Sequence, residues 1–407
     1  MLRDAEMVKD FDIAVIGGGP AGATAAEKLA RSGHSVMLLD RAGRIKPCGG
    51  AIPPRLVRDY DIPDSLLCAH ITSARMISPT DRKVDMPIEN GYVGMVDREV
   101  FDEFLRNRAA EAGATRVNGT FKSLERDAAG APVVHYTAGG EAKSVRVKMV
   151  VGADGARSAV AKQALNGAMS KSVFAYHEIV SAPEDGENFD GKRCEVYYQG
   201  KLSPDFYAWV FPHGKTASIG VGSAHKGFSL RGAVRDLRAA TGLDAVETRR
   251  TEGAPIPLKP LKRWDNGKDV IVVGDAAGVV APASGEGIYY AMACGDMAAD
   301  GVAQTLATGN AKHLAKVRKR YMKAHGQVFM ALGLLQWFWY SNDKRRERFV
   351  TMCADKDVQQ LTFDAYMNKR LVRKKKAAHA KVFVKDVAHL LRLVRPVKPT
   401  DQAPSAS

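Results

Sequence analysis

A run of glycines near the amino terminus has the spacing of a dinucleotide-binding turn. Gly17, Gly19 and Gly22 occupy the three glycine positions of a G-x-G-x-x-G pattern. The first permits a tight turn, the second lets the backbone approach a pyrophosphate, and the third lets a helix pack closely on a strand. Asp40 follows 18 residues after Gly22, where a carboxylate can accept hydrogen bonds from an adenosine ribose. These residues predict a site for FAD or NAD.

The elements around these residues have the order that such a site requires. Apolar runs over Asp12–Ile16 and Ser35–Leu39 predict two buried strands, and the residues over Ala21–Ser32 predict a helix between them. The helix would begin at the glycine turn, so its free N–H groups and its dipole would face the phosphates. A glycine-rich turn without a ligand is the alternative, and the complete strand–helix–strand–acid order disfavours it.

Two later segments place glycine and aspartate directly after a predicted strand. Asp154 and Gly155 follow the apolar run 147–151, and Gly274 and Asp275 lie at the end of the run 270–273. In a doubly wound sheet the carboxyl ends of the strands form the ligand crevice. Both segments resemble the fingerprints of FAD-dependent hydroxylase-like flavoproteins, and this resemblance favours FAD over NAD.

Two further groups of residues could act beside a bound flavin. Cys48 precedes two glycines in a loop, and glycine permits close approach to a planar ring. Tyr207, Trp209 and Phe211 alternate along the chain, so they would share one face of a strand. Such an aromatic face could cover a flavin or line an apolar tunnel. The alternatives are a loop cysteine without function and ordinary core packing of a sheet.

These segments together resemble the geranylgeranyl reductase family. The resemblance rests on the proline-cysteine-glycine-glycine stretch at 47–50 and the PxxYxWxFP pattern at 204–212, and it covers residues 11 to 310. It implies that Asp275 contacts the ribityl chain and that Gly285 and Gly287 present N–H groups to the flavin N1/O2 edge. It also implies that Cys48, Tyr207 and Trp209 are catalytic. The predicted FAD-binding residues are Gly17, Gly19, Gly22, Asp40, Arg41, Cys48, Gly49, Arg98, Asp154, Gly155, Gly274, Asp275, Gly285 and Gly287.

The resemblance implies FAD-dependent reduction of isoprenoid C=C bonds, converting a geranylgeranyl group to phytyl in pigment biosynthesis. The group would be carried by chlorophyll or bacteriochlorophyll, or by a diphosphate. Reduced FAD would supply a hydride and a nearby acid a proton, and the candidates for the acid are Cys48, Tyr207 and an ordered water. NADPH is the implied electron donor, with reduced ferredoxin as an alternative. Reduction of another prenylated lipid, FAD-dependent monooxygenation and non-catalytic prenyl-lipid binding are the alternative functions.

The predicted fold is α/β, with a Rossmann-like FAD-binding domain of the hydroxylase-like flavoprotein type that is interrupted by a mixed β substrate domain. Alternating runs at Cys194–Tyr198, Phe206–Phe211 and Thr216–Gly222 predict antiparallel strands in the inserted domain. A helical carboxyl-terminal region follows. The expected boundaries are 1–70, 95–165 and 265–310 for the FAD-binding domain, 71–94 and 166–264 for the substrate domain, and 311–407 for the basic helical region.

The positive charge of the chain is concentrated in its last quarter. Residues 311–407 contain 22 Lys/Arg and 7 Asp/Glu, an excess that equals the net charge of +15 for the whole chain. No nucleic-acid-binding motif accompanies this charge, so nucleic acid is not an expected partner. The five cysteines are scattered, which predicts neither a disulfide framework nor a metal site.

The carboxyl-terminal region predicts contact with an anionic membrane surface. The aromatic run 334–340 suits an interface and is followed by the cations Lys344, Arg345 and Arg346. Residues 381–395 have the pattern of a basic amphipathic helix. We find no signal peptide and no spanning segment in the sequence, and we expect peripheral attachment to the cytoplasmic side of the inner, photosynthetic membrane. The alternative is a helix that packs on the FAD-binding domain with a solvated charged face.

Overall fold

A computed structural model describes residues 10–41, 43, 45–89 and 91–369 of the chain. The strands are β1 (Asp10–Ile16), β2 (Val36–Asp40), β3 (Ala51–Ile52), β4 (Leu67–Ile71), β5 (Ser73–Ile77), β6 (Lys83–Pro87), β7 (Val93–Val96), β8 (Thr115–Asn118), β9 (Thr120–Arg126), β10 (Pro132–Ala138), β11 (Glu141–Gly152), β12 (Ser172–Ser181), β13 (Arg193–Tyr197), β14 (Ala208–His213), β15 (Thr216–Ser223), β16 (Thr248–Pro257) and β17 (Val270–Val272). The helices are α1 (Pro20–Arg31), α2 (Pro54–Asp59), α3 (Arg98–Glu111), α4 (Ala159–Ala164), α5 (Leu230–Ala240), α6 (Ile288–Thr308), α7 (Lys312–Trp339), α8 (Asp343–Met352) and α9 (Lys356–Asn368).

The first sheet contains the predicted dinucleotide-binding unit. Its parallel strands lie in the order β8-β2-β1-β11-β17, and α1 connects β1 to β2. The predicted strand–helix–strand order is confirmed, with every boundary within two residues of the observed one. The first half of β11 pairs antiparallel with β10, which pairs with β9, so a meander that was not predicted extends this sheet.

The second sheet is the predicted antiparallel layer. Its order is β16-β12-β15-β14-β13-β5-β6, and only the β13–β5 pair is parallel. The predicted strand Phe206–Phe211 is observed as β14, which begins at Ala208, so Tyr207 lies just before the strand and not in it. A small sheet, β3-β7-β4, precedes α3, and Asp97 caps that helix by accepting the Glu99 N–H at 3.0 Å.

The carboxyl-terminal helices cover an aromatic cluster on one face of the second sheet. Tyr207 and Trp209 pack there with Trp339 and Tyr340 from the end of α7. The aromatic run 334–340, predicted from sequence to suit a membrane interface, is the last part of the 28-residue helix α7 and the residue after it. Within the described ranges, no helix combines the length and the apolar character needed to cross a membrane.

The structure corrects one prediction about this region and leaves another outside its range. Arg346, one of the three cations grouped from sequence with the interfacial aromatic run, is only 1% exposed and donates to the backbone oxygens of Pro204 and Tyr340. The sequence gives no sign of this because the accepting carbonyls come from loops that fold back on α8. The predicted amphipathic helix over 381–395 lies outside the described residues.

Candidate active site

The glycine turn after β1 forms a cradle with one open position. A Cβ atom on Gly17 or Gly22 would collide with the carbonyl oxygen of Ala153 or of Gly17, respectively, so close backbone packing requires both glycines. A Cβ atom on Gly19 would meet nothing within 4 Å. Gly19 therefore lines open space at the start of α1, as expected of the backbone that approaches a pyrophosphate.

The amino-terminal end of α1 offers unpaired donors to this space. The helix begins after Gly19, and no side chain caps its first N–H groups. These donors and the helix dipole together favour an anionic ligand. The chain in this region thus fits the diphosphate of FAD, because Gly19 leaves open space and, having no side chain, does not cap the start of α1.

Asp40 lies at the carboxyl end of β2, where the sequence placed a ribose-binding carboxylate. It accepts the backbone N–H of Arg41 at 2.9 Å and lies 3.3 Å from Nη1 of Arg106. Burial raises the pKa of Asp40 above its ordinary value. The side chain of Arg41, predicted to contact FAD, is exposed, whereas Arg106, which the sequence did not single out, reaches both Asp40 and the Gly18 carbonyl.

Asp154 has a partner within its own loop. Its carboxylate accepts the Ser158 hydroxyl at 2.5 Å and the Ala159 N–H at 2.6 Å, so it caps α4. The backbone of this loop packs against Gly17, which places Gly155 next to the pyrophosphate cradle. We therefore infer that Asp154 shapes the loop, and that any contact between this loop and the cofactor is made by the backbone.

Asp275 follows β17 in a single helical turn that begins at Gly274, and its side chain is 8% exposed. Lys46, from the loop before β3, lies 2.5 Å from its Oδ2 atom although 229 residues separate the two in sequence. Gly274 has φ +60°, a value that glycine adopts without strain. Lys46 was not predicted, because nothing in its local sequence points to a partner so distant.

The amino terminus of α6 presents a second set of free donors. Gly287 precedes the helix, and no side chain caps its first turn. Gly285 has φ +66° and lies close to the rings of Phe206 and Tyr207, but its N–H donates to the Ala281 carbonyl oxygen at 3.0 Å and is not the free donor that the family resemblance implied. Uncapped N–H groups at the start of this 21-residue helix can stabilise negative charge on a ring edge. The family resemblance implied this role beside a reduced flavin.

A cavity between the two sheets brings seven of the predicted site residues together. Trp209, His177 and Ala254 of the second sheet face the loops and helix ends of the first across it. The predicted residues that line it are Cys48, Gly49, Arg98, Trp209, Asp275, Gly285 and Gly287. The first residues of α1 and α6 also line it, so both uncapped helix termini open toward the same space.

Arg98 is buried at the start of α3 beside Cys48. Its guanidinium group donates two hydrogen bonds to Asp102, at 2.8 and 2.7 Å, and the residue is 5% exposed. Burial alone would lower the pKa of Arg98, but the charge of Asp102 and an interaction with the Cys48 thiol more than offset it. Arg98 and Asp102 therefore bring a buried ion pair to the wall that holds Cys48.

The three aromatic residues of the 204–212 pattern lie on one face, as predicted. The ring centroids of Tyr207 and Trp209 are 5.9 Å apart, and those of Trp209 and Phe211 are 6.0 Å apart. Tyr207 does not line the cavity of Cys48 with Trp209; its hydroxyl donates to the Ser284 carbonyl oxygen at 2.5 Å. Burial raises the pKa of Tyr207 far above its ordinary value.

This arrangement defines a class, the flavoproteins that hold FAD in a Rossmann-like domain joined to an antiparallel substrate layer. In agreement, residues 67–314 match the FAD binding domain family and residues 15–70 match an NAD(P)-binding Rossmann-like domain. The chain belongs to the geranylgeranyl diphosphate reductase family. It is 56% identical over 387 residues to the geranylgeranyl diphosphate reductase of Rhodobacter capsulatus, covering 95% of this chain and 99% of the relative.

More distant relatives and one solved structure also match most of the chain. The geranylgeranyl diphosphate reductase of Synechocystis is 37% identical, over 93% of this chain and 98% of that relative. The digeranylgeranylglycerophospholipid reductase of Methanocaldococcus jannaschii is 30% identical over 79% of this chain and 84% of that relative. A crystal structure of a geranylgeranyl bacteriochlorophyll reductase-like protein from Thermoplasma acidophilum superposes with a TM-score of 0.77 at 21% identity, covering 91% of this chain and 99% of that one.

Proposed function

We propose that this chain uses FAD to reduce C=C bonds of a geranylgeranyl chain, yielding a phytyl chain. Membership in the geranylgeranyl diphosphate reductase family supports this assignment most strongly. The cavity adds a physical reason, because it joins a nucleotide cradle to the aromatic face that carries Trp209. A reduced flavin bound there supplies a hydride, and an alkene that accepts it also needs a proton from a neighbouring acid.

The contacts around the candidate acids favour Cys48 over Tyr207. The proton of Tyr207 is engaged with the Ser284 carbonyl, and burial disfavours its ionisation. We therefore assign to Tyr207 the positioning of the loop that leads to α6. Cys48 lines the cavity together with Trp209, so its thiol is placed to reach a prenyl chain that occupies this space. An ordered water is the remaining alternative.

The assignment is tested with the FAD-loaded chain under anaerobic conditions. Geranylgeranyl diphosphate and a geranylgeranyl ester of bacteriochlorophyllide are supplied separately, with either NADPH or dithionite as reductant. The expected product gains three pairs of hydrogen atoms by mass spectrometry, and the two substrates decide which carrier is used. Failure of dithionite-reduced protein to reduce either substrate would overturn the proposal. Oxygen consumption equal to product formation in air would instead favour a monooxygenase.

The electron donor is proposed on family resemblance as NADPH, with ferredoxin as the alternative. Stopped-flow spectroscopy of the FAD-loaded chain follows flavin bleaching by NADPH without any prenyl substrate. Rapid bleaching by NADPH supports the assignment. Bleaching by reduced ferredoxin alone would replace NADPH with ferredoxin and leave the alkene chemistry unchanged.

The role of Cys48 is tested by separating the two half-reactions. In Cys48→Ala, flavin reduction by the donor should stay as in the wild type, whereas alkene reduction should slow by about 10²-fold or more, as expected for loss of a general acid. Cys68→Ala is the matched control, because Cys68 lies outside the cavity that holds Trp209. Unchanged rates of both half-reactions in Cys48→Ala would remove this residue from the mechanism and leave an ordered water as the acid.

We further propose that α7 rests on the surface of a membrane. Met330, Leu334 and Trp337 lie on one helical face and are 71%, 62% and 71% exposed. Three apolar side chains in one exposed row are unusual on a soluble surface and suit the interface of a bilayer. The exposed face of the first half of the same helix is cationic, with Lys316, Lys319, Arg320 and Lys323.

A further inference from the structure

A row of four residues crosses the second sheet and ends at the cavity wall. His177 of β12 is paired in register with Glu252 of β16 on one side and with Gly220 of β15 on the other. Gly220 is in turn paired with Trp209 of β14. Because paired residues in neighbouring strands point to the same face, Glu252, His177 and Trp209 extend from one side of the sheet. Both His177 and Trp209 line the cavity of Cys48.

Short polar contacts connect this row from end to end. Trp209 donates its indole N–H to Ser218 Oγ at 3.0 Å, and the same oxygen lies 2.8 Å from Nδ1 of His177. Nε2 of His177 lies 3.0 Å from Oε2 of Glu252. His177 is 2% exposed and Ser218 is fully buried. Since water does not reach these groups, each must find its partner within the row.

The chemistry of the indole fixes one end of the chain. An indole N–H can only donate, so Ser218 Oγ accepts from Trp209, and the same hydroxyl either donates to or accepts from Nδ1 of His177. Nε2 of His177 faces Glu252. Burial would raise the pKa of Glu252, but His177 and Arg250 together hold it below its ordinary value, so the carboxylate is present to accept. Trp209, Ser218 and His177 are thus joined by hydrogen bonds, whereas Nε2 of His177 meets Glu252 through a 3.0 Å contact that lacks hydrogen-bond geometry.

Gly220 lies directly beneath the Trp209 indole. A Cβ atom at this position would come within 2.6 Å of Cε2 of Trp209 and 2.5 Å of Cβ of His177. The backbone of Gly220 is in a strand with ordinary geometry, so the requirement for glycine comes from the neighbouring side chains and not from the backbone conformation. The indole is thus held from below by Gly220 and at its N–H edge by Ser218.

We propose that Glu252, His177 and Ser218 are positioning residues that fix the plane of the Trp209 indole over the cavity, where it orients the prenyl chain for reduction. The inference rests on the proposed function for its chemical consequence, although the hydrogen-bond chain itself does not. The hydrogen-bond chain ends at the indole of Trp209, which cannot accept a proton. It therefore suits orientation of the ring and not proton transfer. The sequence motif singles out Trp209, while its three supports lie in other strands.

The hydrogen-bond chain is tested in the FAD-loaded full chain labelled with ¹⁵N at its four Trp indoles. In Ser218→Ala the Trp209 indole N–H resonance should shift and its hydrogen exchange should accelerate at least tenfold. Ser218→Thr, which keeps the hydroxyl, should resemble the wild type. The indole of Trp264 donates to the Leu261 carbonyl at 3.1 Å and provides an internal control that should not change. An unchanged Trp209 signal in Ser218→Ala would overturn the proposed hydrogen-bond chain.

The far end of the chain is tested with Glu252. Glu252→Ala removes the acceptor of His177 and should also shift the Trp209 indole signal, whereas Glu252→Gln keeps an oxygen acceptor and should restore most of the wild-type signal. Because Gln preserves shape and hydrogen bonding, this comparison remains informative where the Ala variant folds poorly. Equal signals in Ala and Gln variants that both fold would show that Glu252 does not act through His177, and the proposed chain would fail.

The functional consequence is tested by the distribution of products. We expect Ser218→Ala to raise KM for the prenyl substrate several-fold and to release at least five times more partly reduced chains than wild type, with flavin reduction by the donor unchanged. A shifted indole signal with a wild-type KM and product distribution would overturn the positioning role. If wild-type protein reduces no prenyl substrate, the proposed function fails, and the spectroscopic test of the hydrogen-bond chain still stands on its own result.

Discussion

Lys369, directly after α9, and Glu286, in the loop before α6, form an ion pair that is almost completely buried. Their side chains are 2% and 6% exposed, and 83 residues separate them in sequence. Nζ of Lys369 also lies 3.5 Å from the ring centroid of Tyr366. Burial raises the pKa of Glu286 and lowers that of Lys369, while each partner opposes the shift of the other. Since Glu286 stands between Gly285 and Gly287, this pair ties the last described helix to the cofactor cavity.

Removing only one member of the Lys369–Glu286 pair should destabilise the protein more than replacing both. Lys369→Met leaves the Glu286 carboxylate buried without a cation, and we expect the free energy of unfolding to fall by about 3–5 kcal/mol. Combining Lys369→Met with Glu286→Gln should recover part of this loss, because no buried charge then remains unpaired. Urea unfolding of the FAD-saturated proteins at neutral pH measures both values. Lys316→Met on the exposed face of α7 is the control. An equal loss of unfolding free energy in Lys369→Met and Lys316→Met would contradict the argument.

The two glycines at either side of the α1 start should respond differently to alanine. Gly19→Ala places its methyl group in open space that the pyrophosphate needs, so the protein should fold normally but bind FAD at least tenfold more weakly. Gly22→Ala drives the methyl group into the Gly17 carbonyl oxygen and should destabilise the fold itself. Flavin fluorescence titration and thermal unfolding separate the two effects. Gly186→Ala, whose Cβ also meets nothing within 4 Å, should change neither property.

Cys48 should be protected from alkylation by bound FAD. It lines the cavity, whereas Cys294 and Cys353 are buried, and burial raises the pKa of each of these two thiols to about 12. Because the thiolate is the reactive form, iodoacetamide at pH 8 should label Cys48 in flavin-free protein and leave those two thiols unmodified. Peptide mass spectrometry follows each site separately. A labelling rate of Cys48 that does not change with FAD would place the ring away from this loop.

The parts of the site that the sequence predicted are those built from contiguous residues. The turn around Gly19 and the strands beside it follow from local apolar runs and glycine spacing, and the shared face of Trp209 and Phe211 follows from simple alternation. The start of β14 was placed too early because the aromatic pattern continues into Tyr207, while the backbone pairing does not. Local patterns therefore located the motifs well and their boundaries less well.

The parts that the sequence did not predict depend on pairing between distant segments. Lys46 meets Asp275 across 229 residues, and His177 meets Glu252 only because β12 and β16 pair in one particular register. No local pattern encodes a register between strands so far apart. The environment of Arg346 could not be predicted from local sequence either. A cation beside an apolar run can face lipid or bind buried carbonyl oxygens, and the same sequence pattern fits both.

The exposed apolar row on α7 should govern membrane binding independently of the cationic residues before it. Replacing Met330, Leu334 and Trp337 together by Ser should weaken binding at least about tenfold to both neutral and anionic vesicles, since burying even one such side chain contributes about 1.5–3 kcal/mol. Replacing Lys319 and Lys323 by Ser should weaken binding to anionic phosphatidylglycerol vesicles alone, and added salt should mimic that change in the wild type.

Vesicle flotation of the full-length protein distinguishes these contributions. Met169→Ser is the matched control, because Met169 is 57% exposed but lies outside α7, and its loss should leave flotation unchanged. Circular dichroism and FAD content confirm that each variant is folded. If the triple Ser variant floats like the wild type on neutral vesicles, α7 is not the membrane face. Because the inner side of α7 covers the aromatic cluster around Tyr207, a positive result would place the bilayer on the opposite side of this helix from that cluster.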